Sequence, residues 1–393
     1  TKLLIGGEWL DGRDRFATVN PATEEVIAEV EEAGAAEVDA AVRSARDAFE
    51  DPAWRDLDPH RRAALLWRLA DLVEENLEFI AELETRDNGK PAFESARVDL
   101  PFVVSNFRYF AGWADKLAGD VIPVSGPFLN YTLREPLGVI GAIIPWNFPL
   151  NIASWKLAPA LACGNAVILK PAEETPLTAL LLGELALEAG FPPGIVNVIP
   201  GRGPVTGQAM VEHPGIDKIA FTGSTETGRI VMRTAAESLK KVSLELGGKS
   251  PNVVFADADL GAAVRGAITG IFYGKGEVCA AGSRLFVEAS IKDEFMEQLT
   301  SKAAGMTVGD PNHPNTRHGA IVSKGQHERV LSYIEAGIEQ GATRRTGGQA
   351  ATVDGRGYFI EATVFDDVKP DMTIAREEIF GPVLATLAFE DLD

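Results

Sequence analysis

The sequence predicts an α/β fold with a doubly wound parallel sheet and a second α/β domain. From residue 139 onward, short β-forming runs alternate with stretches of helical periodicity. Strands linked in this way pair in parallel through right-handed crossovers. The 393 residues also exceed the size at which one hydrophobic core stops growing, which favours two domains. Ligands of such sheets bind at the carboxyl ends of the strands, so the turns there are the first place to look for functional residues.

The first α/β region contains strands and helices in strict alternation. Its strands are predicted at 139–144, 166–169, 195–199, 218–221 and 242–246, and its helices near 150–162, 176–189, 204–211 and 225–237. A second region follows from about residue 248. Its strands are predicted near 252–255, 284–287 and 358–364, and its helices near 260–273, 290–304 and 323–341.

Residues 36–118 are predicted to form a helical layer, and a hairpin is predicted to follow it. Residues 36–118 carry apolar side chains at helical spacing with few breakers. In residues 119–136, β-forming residues are split by Ser-Gly-Pro, which is typical of a protruding hairpin. The apolar residues of that hairpin have no evident core to enter, so we expect them to pair with another subunit.

Composition excludes several classes of partner. The chain has 37 basic and 57 acidic residues and a formal net charge of −20, which disfavours binding to nucleic acid. No run reaches the roughly 18 to 20 apolar residues of a membrane span, and the N-terminus lacks signal-peptide character. Two cysteines build no disulfide framework and fit a reduced, cytoplasmic compartment. The five histidines show no metal-ligand spacing with cysteine, so we expect no metal site.

Cys279 is the candidate nucleophile because small residues and glycines surround it. Taken alone, a free cysteine is more often a buried structural thiol, and Cys163 is assigned to the core on that ground. Two upstream segments change this interpretation for Cys279. Residues 145–149 offer the amide of Asn147, and residues 244–251 offer the carboxylate of Glu245. A thiol nucleophile needs such an oxyanion stabiliser and such a base.

Three segments are candidates for binding a dinucleotide. Residues 223–228 follow a strand and open a helix, although a simple capping turn would give the same pattern. Residues 201–207 match the usual glycine fingerprint only weakly. Lys170 and Glu173 end another strand, where they could hold ribose hydroxyls or could be ordinary surface charges. A glutamate there repels a 2′-phosphate, which favours NAD over NADP.

Six segments, in this order, resemble the aldehyde dehydrogenase superfamily along the whole chain. They are Pro-Trp-Asn-Phe-Pro (145–149), Leu-Lys-Pro-Ala-Glu (169–173), Phe-Thr-Gly-Ser-Thr-Glu-Thr-Gly (221–228), Leu-Glu-Leu-Gly-Gly-Lys-Ser-Pro (244–251), Gly-Glu-Val-Cys-Ala-Ala-Gly-Ser-Arg (276–284) and Glu-Glu-Ile-Phe-Gly-Pro-Val (377–383). Six ordered matches are very unlikely to arise by chance.

The resemblance implies an NAD(P)-dependent oxidation of an aldehyde to a carboxylic acid. Cys279 would attack the carbonyl to give a thiohemiacetal and then a thioester. Asn147 and the backbone N–H of Cys279 would stabilise the oxyanion. Glu245 would activate the hydrolytic water, and Lys156 would assist proton relay.

The resemblance also implies the binding residues and the role of each domain. The residues implied to bind the cofactor are Ile143, Trp146, Lys170, Glu173, Gly203, Gly207, Phe221, Gly223, Ser224, Glu378 and Phe380. Those implied to line the substrate tunnel are Phe148, Asn151, Ile152 and Trp155. Residues 1–118 and 137–247 would form the NAD-binding domain, 119–136 the oligomerisation hairpin and 248–393 the catalytic domain. The full-length protein would then be a homodimer or homotetramer.

Two departures from the family pattern and two alternative functions stay open. Family members usually have glutamine at the position of Glu277, where a negative charge would raise the pKa of the thiol unless it points away. The chain ends at Asp393, soon after the last motif, so we expect a member truncated within its catalytic domain. One alternative is a relative that passes the thioester to coenzyme A, although Glu245 argues against it. The other is a non-catalytic NAD-binding or structural relative.

Overall fold

The computed structural model describes residues 1–391 and divides them into two compact units. The last two residues of the predicted domain 248–393 lie outside the described residues. Unit 1 comprises Thr1–Thr18, Ala28–Ala81 and Ala96–Glu245. Unit 2 comprises Val19–Ile27, Glu82–Ser95 and the chain from Leu246 onward. The sequence prediction had counted 19–27 and 82–95 with the first domain, whereas these segments fold with unit 2.

The strands of the described chain are β1 (Leu3–Ile5), β2 (Glu8–Leu10), β3 (Asp14–Val19), β4 (Val26–Glu32), β5 (Val121–Ile122), β6 (Asn130–Tyr131), β7 (Val139–Ile143), β8 (Ala166–Lys170), β9 (Val196–Val198), β10 (Lys218–Gly223), β11 (Lys241–Leu246), β12 (Pro251–Val254), β13 (Arg284–Glu288), β14 (Thr343–Thr346), β15 (Ala350–Val353), β16 (Arg356–Ile360), β17 (Thr363–Asp366) and β18 (Val383–Phe389).

The α-helices are α1 (Ala35–Glu50), α2 (Pro52–Arg55), α3 (Pro59–Glu75), α4 (Leu77–Asn88), α5 (Ala92–Glu94), α6 (Leu100–Ala111), α7 (Pro149–Ala162), α8 (Leu177–Glu188), α9 (Gln208–Glu212), α10 (Thr225–Ala236), α11 (Leu260–Phe272), α12 (Lys292–Ala304), α13 (Lys324–Glu339) and α14 (Thr373–Arg376). Short π-helical turns occupy Ser95–Asp99 and Gly203–Gly207, and 3₁₀ turns occupy Tyr273–Gly276 and Ala289–Ile291.

The sheet of unit 1 has the strand order β11-β10-β7-β8-β9-β1-β2. β10, β7, β8 and β9 are parallel neighbours, and β1 adds to β9 in the antiparallel sense. Every residue of β7, β8 and β9 is buried, as expected for parallel strands covered by helices on both faces. The predicted doubly wound α/β class is confirmed.

The strand order of unit 1 reverses next to β7. From β7 the chain moves outward through β8 and β9, and then returns to place β10 on the other side of β7. The connections on the two sides therefore leave β7 and β10 in opposite directions, which opens a crevice at their carboxyl ends. The segments that follow these two strands, 144–148 and 224–228, occupy that switch point.

The predicted hairpin is present in unit 1 as the antiparallel pair of β5 and β6. Its apolar side chains are among the most exposed of the described chain, with Leu129 at 75% and Phe128 at 74%. Val121 and Leu133 are similarly exposed. A run of exposed large apolar residues on a short two-stranded ribbon cannot be stabilised by a core of its own.

The sheet of unit 2 has the order β12-β13-β18-β17-β14 and separates two hydrophobic clusters. Leu285 and Val287 of β13 enter one cluster with α11 and α12, whereas Phe286 packs against the other cluster, which includes residues of α13. The alternation follows from the two-residue period of a strand. Fully burying a side chain such as Leu285 contributes about 1.5 to 3 kcal/mol.

The strand prediction for 358–364 was wrong, and the strands of the first 32 residues were missed. The structure breaks the predicted strand after Ile360: β16 pairs with β15, while β17 joins the five-stranded sheet beside β18. The intervening Glu361 and Ala362 redirect the chain. The sequence pattern did not reveal this break, because β-forming residues lie on both sides of it. β1 to β4 are short, so their hydrophobic pattern gives too few repeats to detect.

Among residues 1–391, no helix combines the length and the apolarity that crossing a bilayer requires.

His318 in unit 2 should make the protein less stable in acid. Burial lowers the pKa of His318 from 6.5 to about 4, although its Nε2 lies 2.9 Å from the carbonyl oxygen of Ile360. Between these pH values the unfolded chain binds a proton at this residue and the folded chain does not, so stability falls as the pH falls from 6.5. The loss reaches about 3 kcal/mol at pH 4.

The expected result is a smaller decrease of Tm between pH 7 and pH 4.5 in His318→Gln than in the wild type, measured by thermal melting. His60→Gln is the control, because the side chain of His60 is exposed, and its decrease should equal that of the wild type. An equal decrease in His318→Gln and the wild type would contradict the prediction.

Candidate active site

Asn147 lies in the turn that joins β7 to α7, at the switch point of the sheet in unit 1. Its side chain is 5% exposed. Pro149 is the first residue of α7, a position at which its missing N–H costs nothing and its fixed φ helps the helix to begin. The Thr175 hydroxyl donates a hydrogen bond to the carbonyl of Trp146 at 3.4 Å, which connects this turn to the segment after β8.

Lys156 and Glu245 interact electrostatically in unit 1. Burial lowers the pKa of Lys156 to about 8, and the negative charge of Glu245 opposes this shift. Lys156 is on α7, one and a half turns after Asn151, and Glu245 lies near the end of β11 with an exposed side chain. A lysine with a pKa near 8 exchanges protons readily close to neutral pH, which is useful next to a carboxylate base.

The residues predicted to line a substrate tunnel differ in exposure. Trp155 is exposed, and Phe148 and Asn151 are partly exposed. Ile152 is 1% exposed and belongs to the buried apolar set of unit 1. Phe148, Asn151 and Trp155 thus have exposed surface, whereas the fourth predicted lining residue, Ile152, does not.

The turn after β10 is built to receive an anion. Ser224 is the N-cap of α10, and its hydroxyl accepts a hydrogen bond from the N–H of Thr227 at 3.1 Å. The first N–H groups of a helix lack partners within the helix and carry its positive dipole end. A side chain at Gly223 would place Cβ 2.5 Å from the ring of Phe221, so only glycine fits there. The small residue keeps the backbone open to a phosphate.

Lys170 ends β8 as a buried ammonium that Glu173 partly neutralises. Lys170 Nζ donates to the carbonyl of Pro171 at 2.8 Å and lies 3.7 Å from Glu173 Oε2. Burial lowers the pKa of Lys170, and the two neighbouring carboxylates oppose this. Burial also raises the pKa of Glu174 to about 7, and the charge of Glu173 adds to that shift. The charge of this strand end therefore changes around neutral pH.

The glycine segment after β9 adjoins the same lysine. A Cβ at Gly207 would lie 3.9 Å from Lys170 Cδ, and no heavy atom lies within 4 Å of a Cβ position at Gly203. The backbone at Gly203 is thus open to a ligand. Ile143 is buried at the end of β7 and contributes to the floor beneath these turns.

These residues of unit 1 fit an adenine dinucleotide. The start of α10 suits a pyrophosphate, and Lys170 with Glu173 provides a donor and an acceptor for ribose hydroxyls. A carboxylate at Glu173 disfavours a ribose 2′-phosphate by repulsion. The donor set therefore matches NAD better than NADP.

Cys279 belongs to unit 2 and lies in a turn between α11 and β13. The N–H of Ala281 donates to the carbonyl of Val278 at 3.0 Å, which closes the turn around the cysteine. Cys279 is partly buried. Its carbonyl oxygen lies 3.6 Å from the position that a Cβ of Gly248 would occupy. The cysteine turn therefore lies against the backbone at Gly248.

Glu378, also in unit 2, contacts the same glycine pair, and Phe380 is held by Gln326. The N–H of Gly248 donates to Glu378 Oε1 at 3.1 Å. Burial raises the pKa of Glu378, and this hydrogen bond opposes the shift. Gln326 Nε2 donates to the carbonyl of Phe380 at 2.7 Å, and Phe380 has a φ of 60°. Unit 2 thus brings Cys279 and Glu378 to Gly248.

Two charged groups of unit 2 were not predicted as part of the site. Burial lowers the pKa of Lys249 to about 8, with the positive charge of Arg284 adding to the effect and Glu378 opposing it. In the sequence, the tripeptide Gly-Gly-Lys at 247–249 was the signal that could have identified this lysine. Lys275 pairs with Glu277, whose carboxylate the sequence had placed near the thiol. For this ion pair, the sequence signal was the pattern Lys-x-Glu at 275–277.

No group of three or more His, Cys, Asp and Glu side chains within residues 1–391 is arranged to hold a metal ion.

Known proteins have the same fold and similar sequences. The family model described as "Aldehyde dehydrogenase family" matches residues 9–393. Retinal dehydrogenase 2 of Homo sapiens is 50% identical over all of this chain and 76% of its own length. The mitochondrial aldehyde dehydrogenase of Rattus norvegicus is 50% identical over all of this chain and 76% of its own length. A solved NAD⁺ complex of an aldehyde dehydrogenase from Bacillus cereus superposes with a TM-score of 0.98 at 50% identity, covering 100% of this chain and 80% of that one.

A doubly wound sheet with an open helix N-terminus at its switch point defines a dinucleotide-binding class of enzyme. The family match extends over nearly the whole chain, and the relatives are half identical to it. This chain belongs to the aldehyde dehydrogenase family. Its activity is the NAD-dependent oxidation of an aldehyde.

The contact between Gly247 and Glu378 predicts a strong effect of one methyl group. A Cβ at Gly247 would overlap the Glu378 carboxylate, which must then leave its position beside Gly248. Because Glu378 is predicted to hold the nicotinamide ribose, Gly247→Ala should raise the Kd for NAD by about tenfold, on the order of 1.4 kcal/mol. Fluorescence titration with NAD measures this.

Gly266→Ala is the matched control in unit 2, since an added Cβ on α11 meets nothing within 4 Å. It should leave the Kd for NAD unchanged and raise Tm slightly, because alanine is favoured over glycine in a helix by about 1 kcal/mol. A Gly247→Ala variant with the wild-type Kd would show that the position of Glu378 does not govern NAD binding.

Proposed function

We propose that this enzyme oxidises its aldehyde through a covalent thioester on Cys279 and then hydrolyses that thioester. The main support is the approach of the Cys279 turn and the Glu378 carboxylate to the same glycine, Gly248. The backbone of the cysteine turn and the carboxylate predicted to hold a ribose thus both adjoin Gly248, which supports a shared role. The family's redox chemistry then has a covalent attachment point in unit 2.

The first step is the capture of the aldehyde. The Cys279 thiolate adds to the carbonyl carbon, so a C–S bond forms and the carbonyl π electrons move to oxygen. Asn147 donates its side-chain amide to that oxygen, together with the backbone N–H of Cys279. Such donors stabilise developing charge, and losing one reduces the rate by about 100 to 1,000-fold. The buried setting of Asn147 strengthens its hydrogen bond.

The second step converts the adduct to the acid. NAD supplies the acceptor for the hydride that the carbon loses, which leaves a thioester on Cys279. Glu245 then takes a proton from water as the water oxygen attacks the thioester carbon. The C–S bond breaks, and the acid leaves with the oxygen of water. Lys156, beside Glu245 and with a pKa near 8, passes the proton onward.

The cofactor-binding residues of the proposal divide into two groups. In unit 1, the α10 terminus with Gly223 and Ser224 takes the pyrophosphate, and Lys170 with Glu173 takes the adenosine ribose. The remaining contacts there are Ile143, Trp146, Gly203, Gly207 and Phe221. In unit 2, Glu378 and Phe380 take the nicotinamide end.

Three further assignments stay predictions. Residues 1–118 and 137–247, apart from the segments 19–27 and 82–95 that fold with unit 2, are assigned as the NAD-binding domain and 248–393 as the catalytic domain. Phe148, Asn151, Ile152 and Trp155 are assigned to the substrate path. A cytoplasmic location is supported only by the low cysteine content.

NADH formation with a panel of aldehydes tests the covalent mechanism. The panel contains acetaldehyde, betaine aldehyde, succinate semialdehyde, an aromatic aldehyde and, because one relative is named a retinal dehydrogenase, retinal. Each is assayed with and without coenzyme A. The wild type should form NADH without coenzyme A, and Cys279→Ala should reduce the rate to background. Glu245→Gln should keep a single burst of NADH while its steady-state rate falls by about 100-fold or more, since the base acts after NADH forms.

Cys163→Ala is the control, as it removes the other thiol of the chain. Its activity should equal that of the wild type. NADH formation that survives Cys279→Ala would rule out the thioester mechanism, and a strict requirement for coenzyme A would favour the acylating alternative.

We also propose that the exposed hairpin of β5 and β6 pairs with a second copy of the chain. Its support is the run of exposed apolar side chains, which water alone would surround in a monomer. Replacing Leu129 and Leu133 with glutamate should shift the protein to half its mass or less in sedimentation experiments. Leu239→Glu is the control, because Leu239 is 91% exposed outside the hairpin and should leave the mass unchanged. A wild type that sediments as a monomer would disprove the pairing.

A further inference from the structure

The segment just before Cys279 has an unusual backbone. Gly274, Lys275 and Gly276 all adopt left-handed conformations, with φ values of 56°, 61° and 74°. For a residue with a side chain, such as Lys275, this conformation costs about 1 to 2 kcal/mol. A Cβ at Gly276 would collide with the backbone of Gly381, so the segment packs tightly there. Contacts elsewhere must hold Lys275 in this conformation.

The side chain of Lys275 provides those contacts. It is 1% exposed, and its Nζ donates to both the backbone carbonyl and the side-chain oxygen of Asn88, each at 2.9 Å. The same Nζ lies 2.8 Å from Glu277 Oε2. Three acceptors therefore satisfy the three donors of one ammonium group. This fixes the left-handed segment to residue 88 of the chain.

Glu277 extends the connection on the other side. It is also 1% exposed, and its Oε1 accepts a hydrogen bond from the N–H of Val322 at 3.2 Å. Its own N–H donates to the carbonyl of Gly274 at 3.0 Å. The N–H of Gly274 in turn donates to Glu94 Oε2 at 3.2 Å. The turn that carries the thiol is thus attached to the chain at Asn88, Glu94 and Val322 within unit 2.

The buried ion pair of Lys275 and Glu277 is expected to contribute little to the net free energy of folding. Burial raises the pKa of Glu277 and lowers that of Lys275, so each charge depends on its partner. Replacing both partners of such a pair is often neutral, whereas removing one leaves an uncompensated buried charge and is strongly destabilising. A device of this kind specifies geometry more than it adds to stability.

We propose that Lys275 and Glu277 are positioning residues, whose buried ion pair sets the conformation of the turn that presents the Cys279 thiol to its electrophile. The inference rests on the proposed role of Cys279 as nucleophile. The pair acts through the backbone of residues 274–278 and does not contact the reacting atoms. Its effect therefore falls on kcat and on the reactivity of the thiol, and not on the affinity for NAD.

The test compares three variants of the full chain: Lys275→Met, Glu277→Gln and the double variant Lys275→Gln/Glu277→Gln. All measurements are made below the lowest Tm among the wild type and the variants. The first two quantities are kcat with saturating aldehyde and the Kd for NAD. The third is the rate at which iodoacetamide alkylates Cys279 at pH 7.5, which mass spectrometry of the Cys279 peptide measures. Each single variant should lower kcat and the alkylation rate by about tenfold or more, with Kd for NAD within twofold of the wild type. The double variant, which keeps amide hydrogen bonds without charge, should recover both rates to within about threefold.

Lys292→Met is the matched control, since it breaks another ion pair of unit 2, between Lys292 and Asp366 at 2.9 Å, away from the cysteine turn. It should lower Tm and leave the alkylation rate and kcat unchanged. If Lys275→Met does not fold, Glu277→Gln and the double variant provide the same comparison.

Two results would overturn the proposal. Single variants with wild-type kcat and alkylation rates would show that the pair is merely structural. Single variants that change the alkylation rate in opposite directions would show that the pair acts on the thiol by charge alone, because one variant removes a negative charge and the other a positive charge. Cys279→Ala with full activity would instead refute the nucleophile assignment, while alkylation of Cys279 in the pair variants would still report on the turn.

Discussion

The main-chain hydrogen bonding of β7 is the constraint on which unit 1 depends. β7 pairs in parallel with β8 on one side and β10 on the other, so that Ile143 is level with both Lys170 and Phe221. In a fully buried strand every N–H and C=O must find such a partner, and this fixes the register on both sides. The ends of three strands consequently lie side by side. The positions of Asn147, Lys170 and Ser224 follow from that alignment, because each residue lies at or shortly after the end of its strand.

Buried charge is the second organising element, and it occurs in pairs. Lys156 is coupled to Glu245, Lys170 to Glu173, and Lys275 to Glu277. In each case burial lowers the pKa of the lysine, and the carboxylate opposes that shift. The excess of acidic residues in the composition says nothing about these sites, because it belongs mainly to the solvated surface.

The sequence was sufficient for the fold class, because the alternation of elements is a local pattern, and it indicated the turns in which the candidate site is predicted. Alternating β-forming and helical runs predict parallel strands, and Pro149 marks the start of α7. By contrast, the break between β16 and β17 depends on which sheet each half joins, and that information is not local. The pairing of Lys275 with Asn88 joins residues 187 positions apart, so no spacing rule could reveal it. The sequence indicated a charge at Glu277 but not its direction, which only the packed structure determines.

The left-handed Lys275 also has an evolutionary consequence. A chain that replaced only Lys275 or only Glu277 would carry an uncompensated charge in its interior, so either single change destabilises the fold. A joint change to two uncharged, hydrogen-bonding residues avoids that intermediate cost. Positions 275 and 277 should therefore vary together among descendants of this sequence, while Asn88, which contacts Lys275 partly through its backbone, is freer to change. The residues at positions 275 and 277 would then be inherited as a matched pair.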